Sequence, residues 1–404
     1  MVKPLHPLET IAARILRGDD RRVRLSRDAV DEATEDPAAA AIRALAEPLE
    51  YPPFAESTVP GDRVAIAVDS GVPCVVEIVR GVVDALAHAG VDPDACSLVT
   101  ASEEMAQLCR TELGSDGESG VRVVVHDPDD EKDLCFVGIN RKREPLVVNR
   151  TIFEADLVLP IGRAHPNGGA FNTLFPQFSS AAVIQQYRTP ANRSSREMRQ
   201  AHRREILEAG RLIGAAMVMQ VVPGPGDSVV AVVAGQPKSV ASAAKRLYRQ
   251  WWLRRSPQRA SLVVATVGGG ALAQTWENVG QAVAAAARLV DDDGAIAICT
   301  NLDRPLGESL GRLVGQKSVT TTAKKVFHEQ AEDSWAAWQI AQALARGPVY
   351  LMSQLDADGV EEMGMAPVQE IDELVRLAER RESTIVLEDA QNALAVVGGD
   401  VDED

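Results

Sequence analysis

The stretch ADLVLPIGRAHPNGGAFNTLFP, residues 155–176, decides how this chain is read. Its first eight residues are an apolar run of strand length. The rest is rich in Gly, Pro and Asn, the composition of a loop. In a parallel sheet, the segment that follows a strand's carboxyl end lines the ligand crevice. Here that segment carries His165, Asn167, the pair Gly168–Gly169 and Asn172. Adjacent glycines let a backbone approach a ligand closely or take positive φ. An imidazole in such a loop titrates near neutral pH and can serve as acid or base. The competing reading is a surface loop with an incidental histidine.

Before this stretch, RVAIAVD (63–69) is a buried-strand signal. It leads into VVEIVRGVVDALAHAG (75–90), whose apolar residues recur at helical spacing and end on Gly90, a C-terminal cap. SLVTA (97–101) and VRVVVHD (121–127) read as strands around the helix EEMAQLCR. After the stretch come a basic helix from about Ser195 to Leu212, and two apolar runs separated by PGPGD that signal a hairpin. A helix over 240–255 follows. SLVVATV, AIAICT, PVYLMS and STIVLED then alternate with helical segments. Strands alternating with helices specify parallel sheets covered on both faces. The expected fold class is α/β, in two domains with mainly parallel, helix-covered sheets and a cleft between them. The expected boundaries are 1–255, with 1–55 as a helical extension, and 256–404.

The chain has 404 residues, with 42 basic against 58 acidic side chains and a net charge of −16. That charge repels a phosphate backbone, and aromatics are only 4%, so a nucleic-acid partner is not expected. No apolar run approaches the roughly 20 residues of a membrane span, and the first residues do not read as a signal peptide. The five cysteines are scattered and form no CxxC pair, which points to a reduced, cytoplasmic protein without structural zinc or a disulfide framework. The expected partner is a small molecule. The oligomeric state is open.

Three further constellations could carry chemistry. VGGGALAQTWENVG joins strand, Gly268–Gly269–Gly270 and helix, either a phosphate cradle or a tight strand-to-helix turn. Asp69, at the end of the first strand, either binds hydroxyl groups or caps the next turn. His126–Asp127 reads as the start of a solvated acidic turn. There is no HExxH, no GxSxG and no metal cluster of the usual spacing, so no metal ligands are assigned.

Four pieces in order resemble the nickel-pincer lactate racemase (LarA-like) family: GDRVAIAVDSGVP, VNRTIFEADLVLPIGRAHPNGGAFNTLFP, VGGGALAQTWENVGQAVAAAARLVDDDGAIAI and PVYLMSQLDADGVEEMGMAPVQEIDELV. The resemblance implies two α/β domains and racemisation or epimerisation of a 2-hydroxy acid or related polyol acid. The family's cofactor is a pyridinium nucleotide that holds nickel and is tethered to a lysine. A histidine ligates the metal, and two others exchange the substrate hydroxyl proton. Carried over by position, Asp69 matches the first-strand acid, His165 a catalytic histidine, and Gly168 and Gly169 the glycine pair. Thr100 survives from a Thr-Gly pair but no histidine follows it. Val72 stands where the family has arginine, Asn172 where it has the tethering lysine, and Gln186–Tyr187 near its metal ligand. Asn278 and Gln281 stand where it has glutamine and lysine. The cofactor is therefore left unassigned. The expected site is His165 for catalysis, with Asp69, Thr100, Gly168, Gly169, Asn172, Gly268, Gly269, Gly270, Asn278 and Gln281 for binding. A non-catalytic ligand-binding homologue and a nicotinamide-dependent oxidoreductase are the alternatives.

Overall fold

A computed structural model describes residues 8–16, 21–25, 36–113, 120–140 and 143–398. They form a mixed α/β structure that divides into two units. The N-terminal unit takes its described residues from 32–187 and 195–250. The C-terminal unit takes them from 1–31, 188–194 and 251–404.

The N-terminal unit is built on a six-stranded sheet. Its spatial order is Arg122–Val125, Cys96–Thr100, Val64–Val68, Leu157–Arg163, Val218–Pro223 and Val229–Gly235. The first five strands are parallel and the last is antiparallel, the hairpin expected across PGPGD. Every residue of Val64–Val68 is buried, as a central strand covered on both faces requires. The helices Val75–His88 and Glu103–Glu112 make the crossovers on one side, with Gly90 at φ +85° ending the first. Ser195 caps the basic helix Arg196–Ile213 by accepting from the Met198 N–H. From Val64–Val68 the chain first winds toward Arg122–Val125, then returns to lay Leu157–Arg163 on the other side. The gap between Val64–Val68 and Leu157–Arg163 is thus the switch point of the winding.

The C-terminal unit holds a second six-stranded sheet, all parallel, in the order Arg22–Leu25, Thr384–Leu387, Ala260–Thr266, Val290–Cys299, Val349–Met352 and Ala366–Val368. The N-terminal segment departs from the expectation of a purely helical extension to the first domain. Arg22–Leu25 is a strand, paired residue for residue with Thr384–Leu387 in the sheet of the other unit. Its alternating RVRL pattern is too short and too charged to register as a strand in the sequence. The basic side chains are placed by pairing: Arg24 donates two 2.8 Å hydrogen bonds to the Glu388 carboxylate. Residues 188–194 also belong to this unit, so the junction is not the single one expected near 255.

In the N-terminal unit, the core reaches up into the loop after Leu157–Arg163. Phe171, Leu174, Phe175 and Phe178 are all buried and pack with Ala65, Val99, Val158 and Val218 of the sheet. Gly210 of the basic helix admits Phe171 directly: a Cβ at 210 would lie 2.3 Å from the Phe171 ring. We expect Phe171→Ala to cost about 3–5 kcal/mol, the usual loss for truncating a buried phenylalanine. Denaturant unfolding of the two proteins at equal m-value checks it.

Candidate functional site

The loops that follow the two strands at the switch point carry the acid and the imidazole singled out in the sequence. The Asp69 N–H donates to the Ile161 carbonyl at 3.0 Å, extending the parallel ladder one residue past Val68. The Asp69 carboxylate accepts the Gly71 N–H at 2.9 Å, and the Val72 N–H closes the turn on the Asp69 carbonyl. Asp69 is half-exposed at the sheet's carboxyl edge, in a turn that its own side chain caps.

The second loop is clamped at several points. Gly162 lacks the Cβ that would sit 2.2 Å from the Thr173 hydroxyl, so the loop folds flat onto the end of its own strand. The Ala164 N–H donates to the Val221 carbonyl, and the buried Gln220 amide donates to the Gly169 carbonyl at 3.3 Å. The Asn172 carboxamide accepts the Gly169 N–H at 3.0 Å. Neither Gly168 nor Gly169 has positive φ; Gly169 is needed for close approach, since a Cβ there would meet the Asn172 carboxamide oxygen at 2.9 Å. Between these clamps His165, Asn167 and Asn172 are exposed while the apolar residues point inward. The Asn167 N–H donates to His165 Nδ1 at 3.3 Å, and the ring centroid lies 6.3 Å from that of buried Tyr248.

Thr100 does not join this group. It is fully buried; its hydroxyl donates toward the Met105 sulfur and accepts the Ser102 N–H. It shapes the start of the next helix. His126 is likewise structural. It is 4% exposed, its Nε2–H donates to the Ser179 carbonyl at 2.8 Å, and Nδ1 accepts from the Asn149 amide at 3.3 Å. Asn149 in turn caps the helix Arg150–Phe153. The expectation of a solvated turn holds for Asp127 and its neighbours but not for the imidazole, which ties three segments together.

Gly268, Gly269, Gly270, Asn278 and Gln281 lie in the C-terminal unit. The Gly268 N–H donates to Gln391 Oε1 and the Gly268 carbonyl accepts from the same side chain. Buried Gln274 donates to the Val267 and Gly269 carbonyls and accepts from Thr300 and the Asn301 N–H. Gly269 has φ +98°. Asn278 donates to the Ala273 carbonyl, stitching the helix start to the turn, and Gln281 lies half-buried farther along the helix. A strand-to-helix turn knitted by two glutamines explains the three glycines; the phosphate-cradle reading finds its Gly268 amide already engaged.

The sequence reading missed three side chains here. Arg163, at the end of Leu157–Arg163, runs past Gly71. His202 stacks on Tyr187 with centroids 4.1 Å apart, bringing an imidazole to the place where residues 186–187 offer none. The Tyr187 hydroxyl donates to Glu205 at 2.7 Å, and its pKa is pushed far up, by burial first and by that carboxylate next. Pairings between helices leave no mark in linear spacing. The cysteines are all free thiols. Burial pushes Cys74, Cys96 and Cys109 up to about 11 and Cys299 to about 12, which makes them poor nucleophiles at neutral pH.

The residues present do not fit a lysine-tethered nickel group. Asn172 stands at the tether position with its carboxamide oxygen bonded to Gly169, and no lysine occurs between Lys142 and Lys238. Among the described residues, no cluster of three or more His, Cys, Asp or Glu side chains is arranged to hold a metal. Nor is any described helix long and apolar enough to cross a membrane.

Residues 11–187 match the lactate racemase N-terminal domain family. Among solved structures, the lactate racemase apoprotein from Thermoanaerobacterium thermosaccharolyticum matches at a TM-score of 0.72 and 18% identity, over 93% of this chain and 94% of that one. A structural-genomics protein from Thermotoga maritima matches at 0.65 and 14% identity, over 90% and 99%. At these identities the likeness is one of fold. No curated protein matches the chain.

Two outcomes are expected. Burial holds the His126 pKa below its ordinary value of 6.5, so stability is full above pH 6.5 and falls as pH drops through the lowered folded value. His126→Gln should flatten that acid-side slope in melting curves taken from pH 7 to 5. Intact mass spectrometry of protein co-expressed with cofactor-making enzymes should give the polypeptide mass alone; an added covalent mass on the 163–177 segment would contradict the reading of Asn172.

Proposed function

We propose that this chain, whose residues 11–187 match the lactate racemase N-terminal domain family, takes a small 2-hydroxy acid or polyol acid at the carboxyl edge of the N-terminal sheet and isomerises it. One observation carries this: the Asp69 and His165 loops follow the two strands that flank the switch point of the winding. Ligands of parallel sheets bind there. His165 takes the proton from C2, the C–H electron pair passes into the carboxylate to give an enediolate, and return of the proton to the opposite face of C2 completes the inversion. An isomerisation runs in both directions, so the group that donates in one accepts in the other. Asp69 orients the hydroxyl.

A second reading, a ligand-binding homologue without catalysis, is favoured by one feature. Inversion needs an acid–base group on each face of the substrate, and the loop after Cys96–Thr100 supplies none: Thr100 is buried and bonded to Met105. The nicotinamide-dependent reading loses its support with the engaged Gly268 turn.

The test is interconversion of the D and L forms of lactate, and epimerisation of gluconate, followed by chiral chromatography. His165→Ala should lower turnover by about 10²–10⁴-fold. His88→Ala should leave it unchanged, because that ring is exposed and bonds the Asp84 carbonyl of its own helix. Specific ligand binding with no turnover of either acid would establish the second reading.

A further inference from the structure

The first-strand loop, Asp69-Ser70-Gly71-Val72, contains no cation, and Val72 is buried. The neighbouring strand supplies one. The ladder pairs Val68 with Ile161, and the Asp69 N–H still donates to the Ile161 carbonyl, so the turn that begins at Asp69 starts beside the end of the strand that carries Arg163. Gly71 is where the two meet: a Cβ there would lie 3.3 Å from Arg163 Cδ and 3.5 Å from an Asp69 carboxylate oxygen. The arginine stem therefore crosses the bare α-carbon of the first loop, beside the carboxylate. His165 follows two residues later on the same chain.

We propose that Arg163 is the specificity-determining residue of this site, and that its guanidinium takes the carboxylate of the substrate. The proposal deepens the reading of the strand-end loops as the ligand site and rests on it. Its physical basis is charge. A chain of net charge −16 repels small anions, and Asp69 adds a local negative charge, so an acid substrate needs a fixed cation at that point. A guanidinium stays charged at every relevant pH and grips a carboxylate with two parallel hydrogen bonds. In a 2-hydroxy acid the carboxylate is bonded directly to C2. Residues 163 and 165 thus serve neighbouring groups of one small molecule. A free phosphate would use the same donors, and the probes below separate the two.

The experiment is calorimetric titration of the intact protein with D-lactate, L-lactate, gluconate, lactamide and inorganic phosphate. Lactamide matches lactate in shape but lacks the charge. The wild type should bind at least one hydroxy acid about 10-fold or more tighter than lactamide. Arg163→Gln should weaken hydroxy acids by roughly 10–100-fold and leave lactamide unchanged, as expected for losing a charge-assisted pair. Arg163→Lys should fall between the two, since it keeps the charge and loses the fork. Gly71→Ala, which displaces the arginine stem without altering charge, should weaken the acids as well. Hydroxy-acid affinity unchanged in Arg163→Gln would overturn the proposal even if His165→Ala still abolishes turnover. Failure of the wild type to bind any of the anions would overturn it too. Phosphate binding that depends on Arg163, with no hydroxy-acid binding, would keep the anion role and refute the hydroxy-acid reading.

Discussion

The site rests on the burial of four side chains beneath a loop. Phe171, Leu174, Phe175 and Phe178 are core residues in every respect except that no helix or strand carries them. Removing such side chains from water is worth about 1.5–3 kcal/mol each, enough to offset much of the conformational entropy of an ordered loop. Their burial leaves few choices for the residues between them. Ala170 and Thr173 also face inward, and His165, Asn167 and Asn172 are left facing out. Polar clamps then fix the remaining freedom, with Gln220 holding Gly169 and Asn172 closing back on it. A loop held this way can present an imidazole with the precision of a regular element, which is what proton transfer requires.

Much of this was legible in the sequence, for a physical reason. Fully buried parallel strands must be continuous apolar runs, so VAIAV, SLVT and LVLPIG announced themselves, and with them the loops that follow. Asp69 and His165 could be placed because position after a strand is a local property. What eluded the sequence depends on partners distant along the chain. The strand Arg22–Leu25 exists through pairing with Thr384–Leu387. The hairpin Leu134–Ile139 with Pro145–Asn149 is enclosed by charged turns that drown its short alternation. Thr100 entered the expected site through the resemblance, as the remnant of a Thr-Gly pair, yet its hydroxyl turns inward to a methionine. Arg163 gave no sign in the sequence, because only the fold brings its stem beside Gly71.

The two glycine-bearing turns of the chain separate on the same principle. Both follow parallel strands and both looked able to cradle a ligand. In one, exposed polar side chains alternate with buried apolar ones. In the other, glutamine side chains occupy the backbone groups that a ligand would use. Side-chain amides are good mimics of the peptide group, and a Gln that both donates to and accepts from one residue behaves like an added strand rung. The sequence cannot distinguish a glycine kept for a ligand from a glycine kept for an amide. The hydrogen bonds can.

The pairing of Arg22–Leu25 with Thr384–Leu387 also sets an order of events during synthesis. Arg22 and Thr384 lie 362 positions apart, so the outermost strand of the C-terminal sheet leaves the ribosome long before its neighbour exists. The sheet of the N-terminal unit draws all its strands from residues 64–235 and can be finished in the meantime. Until the last segment emerges, Arg22–Leu25 has no lateral partner in that sheet. Once Thr384–Leu387 has docked, its own outer edge stays open until the early strand returns to cover it. An open edge is a template for other chains. The two basic residues in this four-residue strand, Arg22 and Arg24, are the kind of side chain that keeps a waiting strand soluble and unattractive to copies of itself.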